Sequence, residues 1–146
     1  MSGVPRRATA ADIDAVLALE QSCFSDDPWT RNMLQEELGR AGGVFVALGD
    51  EGRPVAFAIG WSVLDELHVL QVAVDPAQRR GGLGRRIMEA LEAGAGSAET
   101  AWLEVRRDNA AAIGMYEALG YRAVGCRQRY YTDGCDALLL RKTLKG

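Results

Sequence analysis

Val72-Ala73-Val74-Asp75-Pro76-Ala77-Gln78-Arg79-Arg80-Gly81-Gly82-Leu83-Gly84-Arg85 leads out of an apolar strand, through a glycine-rich turn and into a helix. Glycines at such a junction leave backbone N–H groups exposed at the positive end of a helix dipole, where a diphosphate can bind. Arg79, Arg80, Arg85 and Arg86 bring positive charge to the same place. The spacing excludes two familiar phosphate loops. No Gly-Lys-Ser/Thr follows the glycines, and no third glycine stands three residues after the second.

Working outward, Leu67 to Val74 reads as the strand feeding the turn, and Leu83, Ile87 and Leu91 form an apolar stripe at helical spacing. An alternating strand follows at Ala101 to Val105, completing a βαβ unit with two parallel strands in one sheet. Asn109 is placed to cap a shorter helix carrying Ile113, Tyr116 and Leu119, ended by Gly120, with strands near Tyr121–Cys126 and Ala137–Leu140 beyond it.

Toward the N-terminus, Thr9-Ala10-Ala11-Asp12 reads as a capping box before a helix that places Ile13, Val16, Leu17 and Phe24 on one side. A second helix is expected from Trp29-Thr30, burying Met33, Leu34 and Leu38 and stopping at Gly42-Gly43. Val44 to Leu48 and the alternating Val55, Phe57, Ile59, Trp61 and Val63 read as a hairpin. The sum is a single mixed α/β (α+β) domain over residues 1–146, with an antiparallel N-terminal part, a parallel middle, about six or seven strands and about four helices.

The 146 residues include 17 basic and 20 acidic side chains, a formal balance of −3. Hydrophobic content of 48% and charged content of 25% exclude a disordered or collagen-like chain. A slightly acidic protein lacks the footprint of a nucleic-acid binder, so an anionic ligand needs a local device. Cys23, Cys126 and Cys135 form no Cys-x-x-Cys pair and fit neither a disulfide framework nor a zinc site. No segment reads as a secretory leader or a membrane span, and cytoplasmic residence without a membrane partner is the expectation.

Arg79-x-x-Gly82-x-Gly84 resembles the acyl-CoA pyrophosphate loop of the Gcn5-related N-acetyltransferase (GNAT) superfamily, Gln/Arg-x-x-Gly-x-Gly/Ala. The resemblance narrows further along. Trp102-Leu103-Glu104-Val105-Arg106, Asn109-Ala110-Ala111-Ala112-Ile113, Tyr116-Glu117 and Leu119-Gly120-Tyr121 are similar to the signature of RimI-type ribosomal-protein alanine N-acetyltransferases. Pro28-Trp29, Leu64-Asp65-Glu66 and Tyr130-Tyr131 match in order. The resemblance implies a splayed parallel strand pair with acetyl-CoA as co-substrate and no metal. Val72, Ala73 and Val74 would offer backbone groups to the pantetheine. Arg79, Arg80, Gly81, Gly82, Leu83, Gly84 and Arg85 would hold the diphosphate, with Asn109 and Tyr116 also contacting the cofactor. It further implies as acceptor the N-terminal alanine of a small-subunit ribosomal protein of the S18 type, no direct nucleic-acid contact, and a monomer or weak dimer.

The chemistry explains the residue types. An amine attacks a thioester only when neutral, and a free α-amino group with a pKa of about 7.7–8.0 needs only a carboxylate, directly or through one water, to lose its proton. Glu104 is the candidate base. A phenol near the departing sulfur can return a proton to it, and Tyr116 is the candidate acid; the resemblance assigns both roles. Each residue also has a structural reading: a cross-strand ion pair for Glu104, a core aromatic for Tyr116 and a helix N-cap for Asn109.

His68 reads as a partly exposed strand residue with a possible place beside an incoming peptide, and Cys126 and Cys135 as packing residues. Asp26, Asp27, Asp65 and Glu66 form acidic turns that would attract a cationic N-terminus if they flank the acceptor cleft. The segment from Tyr130 to Ala137 is shorter than the usual RimI-type loop and carries Cys135 where an acidic residue is common, which bears on the acceptor. Acetylation of another protein N-terminus or a small-molecule amine is the alternative, and a non-catalytic acyl-CoA-binding module the third reading.

Overall fold

In the hairpin of β2 (Gly43–Asp50) and β3 (Arg53–Val63), alternation divides the side chains between two faces of a sheet that is covered on both sides. The computed structural model describes residues 4–79 and 81–144. Phe45, Phe57 and Ile59 point to α1 (Ile13–Cys23) and α2 (Arg31–Leu38), packing on Ile13, Val16, Leu19 and Leu34. Val44, Val46, Leu48, Ala56 and Ala58 face the opposite way, against Ile87, Met88 and Leu91 of α3 (Leu83–Ala93). Small residues on that face let α3 approach closely.

The seven-stranded sheet has the order β1-β2-β3-β4-β5-β7-β6, with β1 (Arg6–Arg7), β4 (Glu66–Val74), β5 (Thr100–Arg106), β6 (Arg122–Arg127) and β7 (Ala137–Thr143). All neighbours are antiparallel except β4 and β5, the parallel pair that the βαβ reading requires. That pair is short: Glu66, Leu67 and His68 align with Thr100, Ala101 and Trp102, and then the strands part. Beyond His68, β4 pairs only with β3 and β5 only with β7. A wedge-shaped gap opens in mid-sheet, with α4 (Ala110–Ala118) in the cluster on the α3 side.

A bulge marks the parting point. Gly60 aligns with Val69 and Ile59 with Gln71, so Leu70 is the extra residue. Leu70 and Gln71 consequently both face α1. Leu70 packs on the α1 cluster, and the Gln71 amide donates to the buried Glu20 carboxylate at 2.7 Å. Glu20 also accepts from the Trp29 backbone N–H at 2.9 Å, tying the α1–α2 loop to β4; burial pushes its carboxyl above the ordinary range.

Two sequence expectations change. Met33 is 41% exposed instead of buried, because Leu34 and Glu37 occupy the inward side of α2. Cys126 is exposed rather than packed, since β6 is an edge strand whose residues are all exposed. The capping box expected at Thr9 and Asp12 is present, and the buried Asp12 carboxylate also receives the Arg6 guanidinium.

Candidate active site

Where β4 leaves β5, a cleft of about 370 Å³ lies on the α1 side of the sheet, walled by Glu66, His68 and Leu70 of β4 and by Trp102 and Glu104 of β5. The Glu104 carboxylate has two neighbours. Tyr130 Oη donates to its Oε1 at 3.3 Å, and Arg127, reaching across β7 from β6, forms an ion pair with its Oε2. The cross-strand ion pair foreseen for Glu104 is therefore present, and the residue also stands in the cleft. The negative charge of Glu104 is the main cause pushing the Tyr130 hydroxyl upward in pKa. Trp102 adds a buried indole N–H without an acceptor among the described residues, a donor that costs about 1–3 kcal/mol unless something bound there accepts from it.

Tyr116 belongs to the other face. Alternation along β5 sends Leu103 and Val105 to the α3 side, and Tyr116 of α4 is buried in that cluster with them. Its ring meets Tyr121 edge-on at 5.9 Å. Tyr121 donates to Glu92 Oε2 at 2.8 Å, and Lys142 holds Glu92 Oε1 at 2.8 Å, fixing the ring against which Tyr116 packs. Burial, and secondarily the Tyr131 hydroxyl, push the Tyr116 phenol up to about 12, so it is protonated at neutral pH. Asn109 starts α4 by accepting from the Ala112 N–H at 3.1 Å, the capping reading, which leaves its amide nitrogen for any ligand.

The glycine turn also sits at the gap. Asp75 caps a short 3-10 turn by accepting from the Ala77 N–H. Gly82 then adopts φ +77° at the start of α3, with empty space where a Cβ would stand. The first intrahelical bond of α3 runs from Arg86 N to Gly82 O, so the N–H groups of Leu83, Gly84 and Arg85 precede the ladder. A Cβ on Gly84 would come within 2.6 Å of the Met115 sulfur, making this glycine the contact between α3 and α4. Among the arginines, Arg79 donates to Cys23 Sγ, Arg85 pairs with Glu89, and Arg80 lies outside the described residues. The open backbone at Gly82, the first-turn N–H groups and the β4 edge from Val72 to Val74 suit a long, flexible anion ending in a diphosphate. Among the described residues no group of three or more His, Cys, Asp and Glu could hold a metal ion, and no helix is long and apolar enough to cross a membrane.

Glu104 and the glycine turn thus flank one gap, and His68 and Glu66, joined at 3.1 Å, stand in the same cleft, whereas Asp26, Asp27 and Asp65 do not line it. Arg127 and the bulged Leu70 escape sequence reasoning. Arg127 becomes a neighbour of Glu104 only because the last strand inserts between β5 and β6, and no local signal announces that order. Arg106 grips Asp108 and Asp133 and lies over the Tyr131 ring at 4.9 Å, fastening the loop that carries Tyr130, a role its place in the motif does not reveal.

Comparison with known proteins gives a consistent result. Residues 13–121 match the model of the acetyltransferase (GNAT) family. The [ribosomal protein bS18]-alanine N-acetyltransferase of Escherichia coli K12 is 40% identical over 134 residues, covering 88% of this chain and 89% of that protein. An uncharacterized protein of Mycobacterium leprae is 37% identical over 140 residues; this chain spans 39% of its length. The crystal structure of the ribosomal-protein-S18-alanine N-acetyltransferase from Escherichia coli superposes with a TM-score of 0.85 at 33% identity, covering 98% of this chain and 94% of the other.

Proposed function

The chain belongs to the acetyltransferase (GNAT) family and is an acetyl-CoA-dependent N-acetyltransferase, and from that premise we propose that its acceptor is the N-terminal alanine of a ribosomal protein. The observation that supports a direct transfer is the placement of Glu104 and Tyr116 on opposite faces of the gap between β4 and β5. An amine arriving on the α1 side meets Glu104, and the thiol side belongs to Tyr116. Acetyl-CoA supplies the activated thioester that the amine attacks.

Glu104 takes the amine proton, directly or through one water, and Tyr116 returns a proton to the leaving sulfur. The β4 edge at Val72, Ala73 and Val74 pairs with the pantetheine amides. Leu83, Gly84 and Arg85 N–H groups, with Gly81, Gly82, Arg79 and Arg80, hold the diphosphate, and Asn109 contributes its amide nitrogen. The free indole N–H of Trp102 is available to a carbonyl of the acceptor. Relatedness at 40% identity to a protein named for alanine N-acetylation of bS18 supports the acceptor class.

The test is release of CoA thiol from acetyl-CoA with peptides that differ in their first residue, alongside polyamines and aminoglycosides. Peptides beginning with alanine, above all those from ribosomal tails, are expected to give the fastest release. Preference for a small amine would overturn the acceptor assignment.

A further inference from the structure

A second cleft of about 270 Å³ adjoins the first and has no part in the chemistry described so far. Its walls are Trp29, Met33, Glu36, Glu37, Arg40, Trp61 and Leu70. Leu70, the bulged residue of β4, forms a wall of both clefts. Trp61 in the second cleft is the direct cross-strand partner of His68 in the first, so the two side chains rise from the same face with Cβ atoms about 4.5–5.5 Å apart. An extended peptide advances about 3.3 Å per residue, so the step from one cleft to the next is one or two residues.

The second cleft is built rather than incidental. Trp61 Nε1 donates to Glu37 Oε1 at 2.9 Å, and Arg40 Nε donates to both Glu37 oxygens while its guanidinium covers the Trp61 ring at 4.7 Å. Trp29 is fixed through its backbone N–H on Glu20. The aromatic walls are therefore held in place before anything binds, which lowers the entropic cost of binding. Glu37 is buried with both oxygens engaged, so the carboxylate the cleft presents to solvent is that of the exposed Glu36. Beside Glu36, the surface it offers is apolar: two indoles, Leu70 and the exposed thioether of Met33, an adaptable group out of place on a solvent-facing helix surface.

We propose that this cleft is an acceptor subsite that takes an aromatic or large aliphatic side chain from the second or third residue of the peptide whose α-amine is acetylated. The proposal rests on the reading of the acceptor as a peptide N-terminus. It makes the enzyme selective beyond the first residue and gives Met33 and Trp61 a part in choosing the acceptor.

The experiment compares kcat/KM for synthetic peptides with alanine first and glycine, leucine, phenylalanine, tryptophan, lysine or glutamate at positions two and three, using the wild-type chain, Met33→Glu and Met33→Gln. Bulky apolar residues are expected to exceed glycine by about tenfold or more, chiefly through KM, as filling an apolar pocket does. Met33→Glu should cut that ratio severalfold, with Met33→Gln in between; the helix position is exposed, so both variants fold. Equal rates across the series would overturn the subsite while leaving the peptide reading intact, and so would an apolar preference unchanged in both variants. If no peptide is acetylated while free small amines are, the peptide reading fails and the subsite falls with it.

Discussion

Glu104 and Tyr116 occupy opposite faces of the sheet at the one place where adjacent strands part: Glu104 lines the cleft on the α1 side, and Tyr116 lies in the cluster on the α3 side. A proton acceptor and a proton donor separated by a gap in the sheet suit a reaction whose amine and thiol approach from different sides. Tyr116→Phe keeps the ring packed against Tyr121 and removes only the hydroxyl, so the fold is unchanged. Turnover should fall on the order of 10²-fold or more, with the KM for acetyl-CoA little altered. Steady-state kinetics on both substrates checks this, and an unchanged kcat would remove the acid role.

Glu104→Gln keeps the shape of the cleft and removes the base. The acceptor amine must then lose its proton to solvent, so the rising limb of the pH–rate profile moves toward the pKa of the free α-amine, about 7.7–8.0. Profiles of kcat/KM from pH 6 to 9.5 or so distinguish the outcomes. A limb that stays in place excludes Glu104.

The two glycines of the turn are expected to fail differently. At Gly82, φ is +77° and the Cβ position is open, so Gly82→Ala costs about 1–2 kcal/mol of backbone strain and intrudes on the proposed diphosphate site, raising the KM for acetyl-CoA. Gly84→Val instead drives into Met115 and costs about 1–3 kcal/mol by overpacking. Met115→Ala in the same chain should restore part of the lost thermal midpoint for Gly84→Val and none for Gly82→Ala.

Arg106 holds Asp133 and Asp108 and covers Tyr131, so Arg106→Ala releases the loop carrying Tyr130 from the end of β5. The acceptor KM should rise more than the acetyl-CoA KM, because Tyr130 of this loop donates to Glu104 in the acceptor cleft. Equal change in both would mean that the loop does more than shape the acceptor cleft.

Asp12 predicts the acid stability. Burial alone would raise its carboxyl, but hydrogen bonds from Arg6, Thr9 and Gly52 outweigh burial and lower it from 3.8 to about 2. A carboxyl depressed in the folded state stabilises above its unfolded pKa, and that contribution, about 2 kcal/mol, is lost as pH falls from about 4 toward 2. Urea unfolding across this window should show the loss in the wild type and a flatter dependence in Asp12→Asn.

The local pattern of strands and helices was legible because each signal is local: the alternation of Phe57, Ile59 and Trp61, the stripe of Leu83, Ile87 and Leu91, and the glycines between Asp75 and Arg85. Glu104 and Tyr116 were legible through a motif. What stayed hidden depends on contacts distant in sequence. Arg127 reaches Glu104 because β7 inserts between β5 and β6, the Leu70 bulge depends on the register of β4 against β3, and Met33 is exposed because Glu37, an acidic residue that the apolar pattern places outside, turns inward to Trp61 and Arg40.

The identity of the nitrogen that receives the acetyl group decides between a protein N-terminus and any other acceptor. The decisive measurement is fragmentation mass spectrometry of a peptide with N-terminal alanine and an internal lysine after incubation with the enzyme and acetyl-CoA. One acetyl group on the alanine α-amine and none on the lysine is expected; acetyl on the lysine alone, or an unmodified peptide beside an acetylated polyamine, would contradict the assignment of an N-terminal alanine as acceptor.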